Sequence, residues 1–426
     1  MAALEAIARQ RFALDTVEVL VIADGCRDDT VAAVRAYPAP YALDVAELPG
    51  VGPSGARNRG AELARAPLLL FLDDDVEPLE TWLAAHVEAH ERNPHSVVIG
   101  SYAPVPVKGG EFRLMTRDWW NAHFEELERP GHRMTFRDVL TGNLSITRSL
   151  WREIGGLDET IARAHEDWEL GIRLIKQAIP IIHAPAAFAW HHEHETLTLQ
   201  GAFKRAREEG IAGVRLAAKH PQLRAELPIV HLWSTRGWKG HLFRSVFRST
   251  RFGEAATKLA SWIPKHLADR RSGKLFRASY GFARRMHYLR GATAELHTLE
   301  NWRRLAAERV DQPGRMIVLD LEQGIQAAEQ RLDAERPDSV SVVYGKYEIG
   351  SLPQALGAEP WQGRHLRPYL TGEFTDKMLQ AMQKSGRLLP PDVRGKPNPA
   401  AEYHFGQRGF FAASREAYDQ WARSGL

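Results

Sequence analysis

The sequence predicts an α/β fold built on a mostly parallel sheet flanked by helices. Two apolar runs, and the polar turn at the end of each, carry that prediction. The first, Val17-Glu18-Val19-Leu20-Val21-Ile22, is rich in β-branched residues and runs into Ala23-Asp24-Gly25-Cys26-Arg27-Asp28-Asp29-Thr30. The second, Leu68-Leu69-Leu70-Phe71-Leu72, stops at three successive carboxylates, Asp73, Asp74 and Asp75. A strand covered on both faces is apolar along its length. In open α/β sheets, ligands gather at the carboxyl ends of such strands.

The connecting segments read as helices. Gly25 permits an unusual backbone angle, and Asp29 or Thr30 can cap the next helix. The stretch Gly52-Pro53-Ser54-Gly55-Ala56-Arg57-Asn58-Arg59-Gly60-Ala61-Glu62-Leu63-Ala64 is a flexible turn entering a short helix that leads directly into the second run. Strands alternating with helices favour a parallel sheet. Adjacent carboxylates repel unless water or a cation balances them. An all-oxygen site of this kind suits Mg²⁺ or Mn²⁺, which keep waters and share a substrate phosphate. Taken alone, the triplet reads equally well as a solvated acidic turn.

Three more blocks come in order along the chain. They are Thr141-Gly142-Asn143-Leu144-Ser145 with Arg148 and Ile154-Gly155-Gly156-Leu157-Asp158-Glu159; Glu166-Asp167-Trp168-Glu169-Leu170-Gly171-Ile172-Arg173-Leu174; and Pro185 through Trp190-His191-His192. Together with Asp-Gly-x-x-Asp-x-Thr, Gly-x-x-x-Ala-Arg-Asn-x-Gly and Phe-Leu-Asp-x-Asp, this order resembles the family 2 glycosyltransferases, inverting enzymes of the Rossmann-like GT-A fold. The resemblance spans about residues 15–195. It departs from the family at Cys26, Arg27 and Asp29. It also departs at the opening stretch Met1–Gln10, which resembles the helix after the family's usual first strand rather than that strand.

The resemblance implies a donor site for a UDP-, GDP- or dTDP-sugar and a divalent cation. Asp24 matches the position that reads the nucleotide base, and Arg57 one beside the diphosphate, where a guanidinium forks onto phosphate oxygens. Asp75 matches the metal ligand, with Asp73 and Asp74 on the ribose or a metal-bound water, and Asp73 also a candidate ligand. His191 would complete the metal site; strand alternation lets only one of His191 and His192 face the cleft. Asp167 matches the general base and Glu166 its orienting partner or an acceptor ligand. An ordinary aspartate, with a pKa of about 3.9, is ionised at neutral pH. Acidic residues in a first helical turn are also favoured by the helix dipole alone. Trp119, Trp120, Asn143 and Trp168 are candidates for the acceptor side. A cluster of His191, His192 and His194 is the family-free metal reading, and no matching Cys or His set accompanies it upstream.

Composition agrees with an ordinary globular protein. The 426 residues are 44% hydrophobic and 26% charged, with a net charge of +3 and a single cysteine. One cysteine forms no intramolecular disulfide and suits a reducing compartment. No apolar run of about 18 residues predicts a membrane span, and no secretory leader is read, so a cytoplasmic protein working at the inner membrane face is expected. Residues 236–290 hold 14 Lys or Arg against two acids, interleaved with Trp238, Phe243, Phe247, Phe252, Trp262 and Phe276. Basic helices with aromatic faces lie on anionic membranes. This stretch therefore predicts peripheral membrane contact, in keeping with a saccharide or lipid-linked acceptor; no nucleic-acid motif accompanies the charge.

The expected organisation is a catalytic domain at 1–225, a basic, aromatic-rich helical extension at 226–311 and a small α/β accessory domain at 312–426. In the last, 315–321 and 339–344 read as strands around a helix at 323–332, with Gly345 and Gly350 marking a hairpin turn. The run 339–343 also resembles the first strand that the catalytic domain lacks. That lack supports an alternative to catalysis: a weak GT-A-like module that binds a sugar nucleotide or glycan.

Overall fold

The computed structural model describes residues 1–106, 109–161, 163–192, 197–268, 273–308, 310 and 314–385. Glu193, His194 and Glu195 of the histidine-rich run, Asp269, Arg270 and Arg271 of the basic stretch, and residues 386–426 of the expected accessory domain lie outside them. With His194 goes the three-histidine cluster. The chain divides into two compact units, 1–128 with 134–311, and 129–133 with 312–426. The region 226–311, expected as a separate extension, packs into the first unit.

The first unit holds two sheets. β1 (Glu18–Asp24) and β2 (Ala42–Leu48) form a parallel pair, connected by α2 (Thr30–Ala36). A second sheet has the order β3-β6-β5-β7-β4, from β3 (Leu68–Leu72), β4 (Val76–Pro78), β5 (Val97–Pro104), β6 (Asn143–Thr147) and β7 (Ile181–His191). The α/β class holds, and the sheet is mixed: β6 runs antiparallel to both neighbours, β4 antiparallel to β7, and β5 parallel to β7. An apolar run specifies burial on both faces but not direction, so the sequence could not reveal this. Val97, Val98, Ile99, Leu144 and Ile146 are fully buried in the centre. Each such side chain is worth about 1.5–3 kcal/mol of burial.

Among the described residues no backbone pairing joins β1 to β3. They are tied through side chains and through α3 (Pro53–Leu63). The Glu18 carboxylate accepts from the backbone N–H groups of Arg65 and Ala66 at 2.6 and 2.7 Å, and Gly60 of α3 stands on the Ile22 side chain. α3 begins at Pro53, the favoured first helical position, directly after Gly52, whose φ of 92° suits glycine.

β5 and β7 pair from Val97↔Ile181 to Gly100↔Ala184, then resume at Tyr102↔Ala189. Four residues of β7, 185–188, thus stand against the one at 101. A Cβ on Gly100 would sit 2.2 Å from the Ala187 carbonyl oxygen and 2.3 Å from Asn143 Nδ2, so only glycine lets this bulge close.

The helices that frame the site are α1 (Ala2–Ala8), α4 (Trp82–Arg92), α5 (Glu111–Glu128), α6 (Arg148–Ile154), α7 (Glu166–Lys176) and α8 (Leu199–Lys219). Behind α8 lie α9 (Pro228–Ser234), α10 (Gly237–Arg248), α11 (Thr250–Leu267), α12 (Gly273–Leu296) and α13 (Leu299–Ala307). α12 packs closely along α8, where Gly210 meets the backbone of Tyr288 and Gly291 that of Arg207. No described helix is long and apolar enough to cross a membrane.

The second unit is a three-stranded sheet of order β10-β9-β8. β8 (Met316–Asp320) and β9 (Ser339–Tyr344) are parallel, bridged by α14 (Ile325–Glu335), and β10 (Tyr347–Leu352) returns antiparallel. The turn falls at Gly345 and Lys346, whereas Gly350 lies inside β10 beside a register shift, its bare face against the Phe374 ring. β9 is bonded on both edges, so the run 339–343 is an internal strand here and not a substitute for a strand of the first unit. α15 (Gly363–Thr371) and α16 (Thr375–Lys384) cover the sheet. Within this unit the guanidinium of Arg133, from the 129–133 segment, lies 4.0 Å from the Trp361 ring centroid and donates to the Glu359 carbonyl.

Candidate active site

The ends of α3, β3 and α7 meet at one guanidinium. Arg57 Nη2 donates to Asp73 Oδ1 at 2.7 Å, and its Nη1 to Glu166 Oε1 at 3.3 Å. The Arg57 side chain is only 17% exposed. One cation thereby joins the acidic end of β3 to the acidic start of α7, although the two are distant in sequence. The Asp73 N–H donates to the Gly142 carbonyl, which fixes where β3 lets go of β6.

Asp75 and His191 form a second cluster. His191 Nε2 lies 3.6 Å from Asp75 Oδ1, and the His191 side chain is 6% exposed. The pairing of Val76 with His191, and the Asp75 carbonyl accepting from His192 N–H at 2.8 Å, hold the two segments side by side. Among the described residues His191 Nδ1 is buried and has no hydrogen-bond partner. Its ring is boxed by Tyr102 and Trp120, with centroids 5.2 and 5.0 Å away. His192 turns the other way and meets Glu77 at 3.1 Å. Asp74, the exposed member of the triplet, is held above the usual carboxylate range by the protein around it and then by Asp75 and Asp73.

No sequence motif marks Tyr102. It is 3% exposed, and its phenol is pushed far up by burial and then by the carboxylates of Asp73 and Asp167. A Cβ on Gly142 would sit 2.8 Å from Asp73 Oδ2 and 3.1 Å from the Tyr102 hydroxyl. Gly142 thus leaves open the space between the carboxylate and the phenol. Gly142→Ala is expected to displace Asp73 from Arg57 and weaken nucleotide binding about ten-fold with little change in Tm; the check is titration beside a thermal melt.

Asp167 departs from the expectation of an ordinary ionised aspartate. Loss of water around it, and next the Glu166 carboxylate, push it up to about 7. Its own helix opposes this through the Trp168 backbone, and the charges of Arg205 and Arg57 oppose it further. Arg205, exposed on α8, also acts on Tyr102 and His165, which places it at the rim of the same cleft. Arg205 carries no sequence signal, because α8 reaches the cleft only by packing. The turn before α7 is strained: Ala164 and His165 both have φ of 62°, uncommon for non-glycine residues and concentrated at functional positions. His165 stacks on Trp168 with ring centroids 4.0 Å apart.

Other candidates find different work. The Asp24 carboxylate accepts from the N–H groups of Gly50, Val51 and Gly52 at 2.7–2.9 Å, so it organises the turn into α3. Asn143 is fully buried. Its Oδ1 accepts from Trp82 and faces His86, and its Nδ2 donates to the carbonyls of Ser101 and Ala187. With all four positions used, it is a brace for the β5–β7 bulge and not an acceptor ligand. Trp120 is 7% exposed and backs His191, which also removes it from the acceptor side; Trp119 is 57% exposed. Trp168 is half-buried beside Asp167.

Glu169, fully buried, anchors α7. It pairs with Arg173 at 2.7 Å, Lys219 at 2.6 Å and His220 at 3.3 Å. Burial alone would raise its pKa, but these three partners outweigh it and hold the carboxyl at about 2. The helix that starts with Glu166 and Asp167 is thus fixed to α8 and to the segment after it.

A sheet whose strand ends bring two acidic clusters and buried arginine together defines an α/β domain with its chemistry at the carboxyl edge. Residues 2–155 match the sequence profile described as Glycosyl transferase family 2. Over these residues the chain is similar to the family 2 glycosyltransferases. It is 29% identical over 256 residues to validoxylamine A glucosyltransferase of Streptomyces hygroscopicus subsp. jinggangensis, covering 52% of this chain and 58% of that one. It is 27% identical over 231 residues to pre-mycofactocin glycosyltransferase of Mycobacterium tuberculosis, covering 54% and 46%. The chain thus spans about half the length of these curated relatives. Among solved structures, it is similar to the mannosyltransferase PcManGT of Pyrobaculum calidifontis in complex with GDP-Man and Mn²⁺, with a TM-score of 0.44, 18% identity and coverage of 69% and 81%.

Proposed function

We propose that the first unit is an inverting, metal-dependent glycosyltransferase. It moves a sugar from a nucleotide-diphosphate donor to a hydroxyl of a saccharide or lipid-linked acceptor. The observation that carries this reading is the Arg57 bridge from Asp73 to Glu166, which sets a phosphate-binding cation beside the base candidate Asp167. Asp167 takes the acceptor proton as the hydroxyl attacks, and Glu166 orients it. A carboxylate held near 7 is matched to proton transfer at neutral pH. Arg57 balances the leaving diphosphate, with Asp73 and Asp74 on the donor and Arg205 adding charge at the rim. Asp24 supports the donor by shaping its turn.

The pair of Asp75 and the buried, orphaned imidazole of His191 suits Mg²⁺ or Mn²⁺, whose sites have few protein ligands and are completed by phosphate oxygens. Asp75 and His191 would hold the ion. When bound, it supplies Lewis-acid stabilisation of charge on the departing diphosphate. The relatives named for glycosyl transfer support a sugar-nucleotide donor. The single cysteine supports a cytoplasmic setting, and the charge of residues 236–290 supports peripheral contact with the inner membrane face.

The test is calorimetric titration of UDP, GDP and dTDP with and without Mn²⁺, on the protein and on Asp75→Ala. One nucleotide is expected to bind only with metal, with a loss of about 100-fold in the variant. A folded protein that binds none of the three with metal overturns the reading.

A further inference from the structure

α11 is built inside out. Its inward face is small and polar: Gly253, Thr257 and Pro264 are buried, Ser261 is half-buried, and Glu254 pairs with Arg207 and Arg290. Thr257 Oγ1 donates to the Gly253 carbonyl, and Ser261 lies 2.9 Å from His287 Nε2. The large apolar residues point to water instead: Phe252 is 47% exposed, Leu259 74%, Trp262 59% and Ile263 44%. Trp238 on α10 and Leu275 on α12 are equally open, at 67% and 59%. An amphipathic surface helix normally turns its apolar stripe to the core, and a contiguous exposed patch marks an interaction site.

Charge identifies what covers it. Arg251, Lys258 and Lys265 are exposed and recur every seventh residue, so they form one row beside the row of Phe252, Leu259 and His266. Lys239 and Lys274 are exposed next to Trp238 and Leu275. Glu254, the acid within α11, is turned inward onto two arginines, so no carboxylate of this helix interrupts the outer face. A protein partner would need an acidic groove of matching shape. A surface with aromatic and aliphatic side chains and a basic row fits the headgroup layer of an anionic bilayer, where Trp sits at the interface and Lys or Arg meets anionic lipid.

We infer that the outer face of α11, with Trp238 and Leu275 beside it, lies in the plane of an anionic membrane surface, with Phe252, Leu259, Trp262 and Ile263 entering the headgroup layer. This assigns the membrane contact of the proposed function to one helix face and rests on that reading only for its biological use.

The test is flotation of the full chain with vesicles of phosphatidylcholine alone or with about 30% phosphatidylglycerol, whose anionic surface attracts basic side chains. Leu259→Ser/Trp262→Ser/Ile263→Ser and Lys258→Glu/Lys265→Glu are compared with the unaltered protein. Metal-dependent nucleotide binding is measured in parallel as a check of folding and of the donor site. The unaltered protein is expected on the anionic vesicles, less so at high salt. The apolar triple variant should lose at least ten-fold, and the charge variant about five-fold for each positive charge removed. Three results overturn the inference: a protein that binds nucleotide but not anionic vesicles; a triple variant that floats as well as the original; or a triple variant that changes oligomeric state with vesicle binding unaltered, which makes the stripe a contact between copies. Loss of nucleotide binding with vesicle binding intact fails the donor reading alone.

Discussion

Asp167→Asn is expected to lower sugar transfer by about 10²- to 10⁴-fold, the usual worth of a positioned base, while metal-dependent nucleotide binding stays within a few-fold. On the proposed function the active form is the carboxylate, whose folded pKa is raised to about 7. Transfer should therefore rise with pH through about 7 and level off above it. Stability moves the other way. The folded state keeps a proton that the unfolded chain releases near 4, so the contribution of this group is full at acid pH and is lost as pH rises through about 7. Asparagine carries no such charge. The variant should melt higher than the original at pH 8, with the gap closing as pH falls to about 4. Equal melting at both values, or a flat rate between pH 6 and 8, would sink the base assignment.

Glu169→Ala should cost about 3–5 kcal/mol, because it strands the charges of Arg173 and Lys219 around a buried gap. On a unit of this size that is a fall in Tm on the order of 10 °C. Glu169 has a depressed pKa, so its contribution is present above the unfolded value of about 4.5 and disappears as pH falls through about 2. Melts of the two proteins should accordingly converge towards pH 2. A drop of less than about 1 kcal/mol at pH 7 would mean that the cluster is screened like a surface pair.

Much of this is legible in the sequence. The strands leading to Asp24 and Asp73 announce themselves through β-branched or leucine-rich runs, although most of their side chains are only half-buried in the structure. Anything that depends on approach stays hidden. Asn143 sits in a block next to the acidic turn, but its four partners come from α4, β5 and β7, so its role as a brace is invisible in a linear string. Tyr102 and Arg205 carry no motif; each is brought to Asp167 by the register of β5 or the packing of α8. Asp167 itself is legible as an acid at a helix start. Its raised pKa is not, because it depends on burial and on a neighbour whose orientation is set by Arg57.

The bulge in β7 has a wider meaning. Against a single residue of β5, residues 185–188 add three, an odd number. Side chains on a strand alternate, so an odd insertion swaps which parity faces the cleft. That count is what directs His191 to Asp75 and sends His192 to Glu77. The cleft is therefore encoded by segment length as well as by residue type, and a comparison of relatives by side-chain identity alone would overlook the difference.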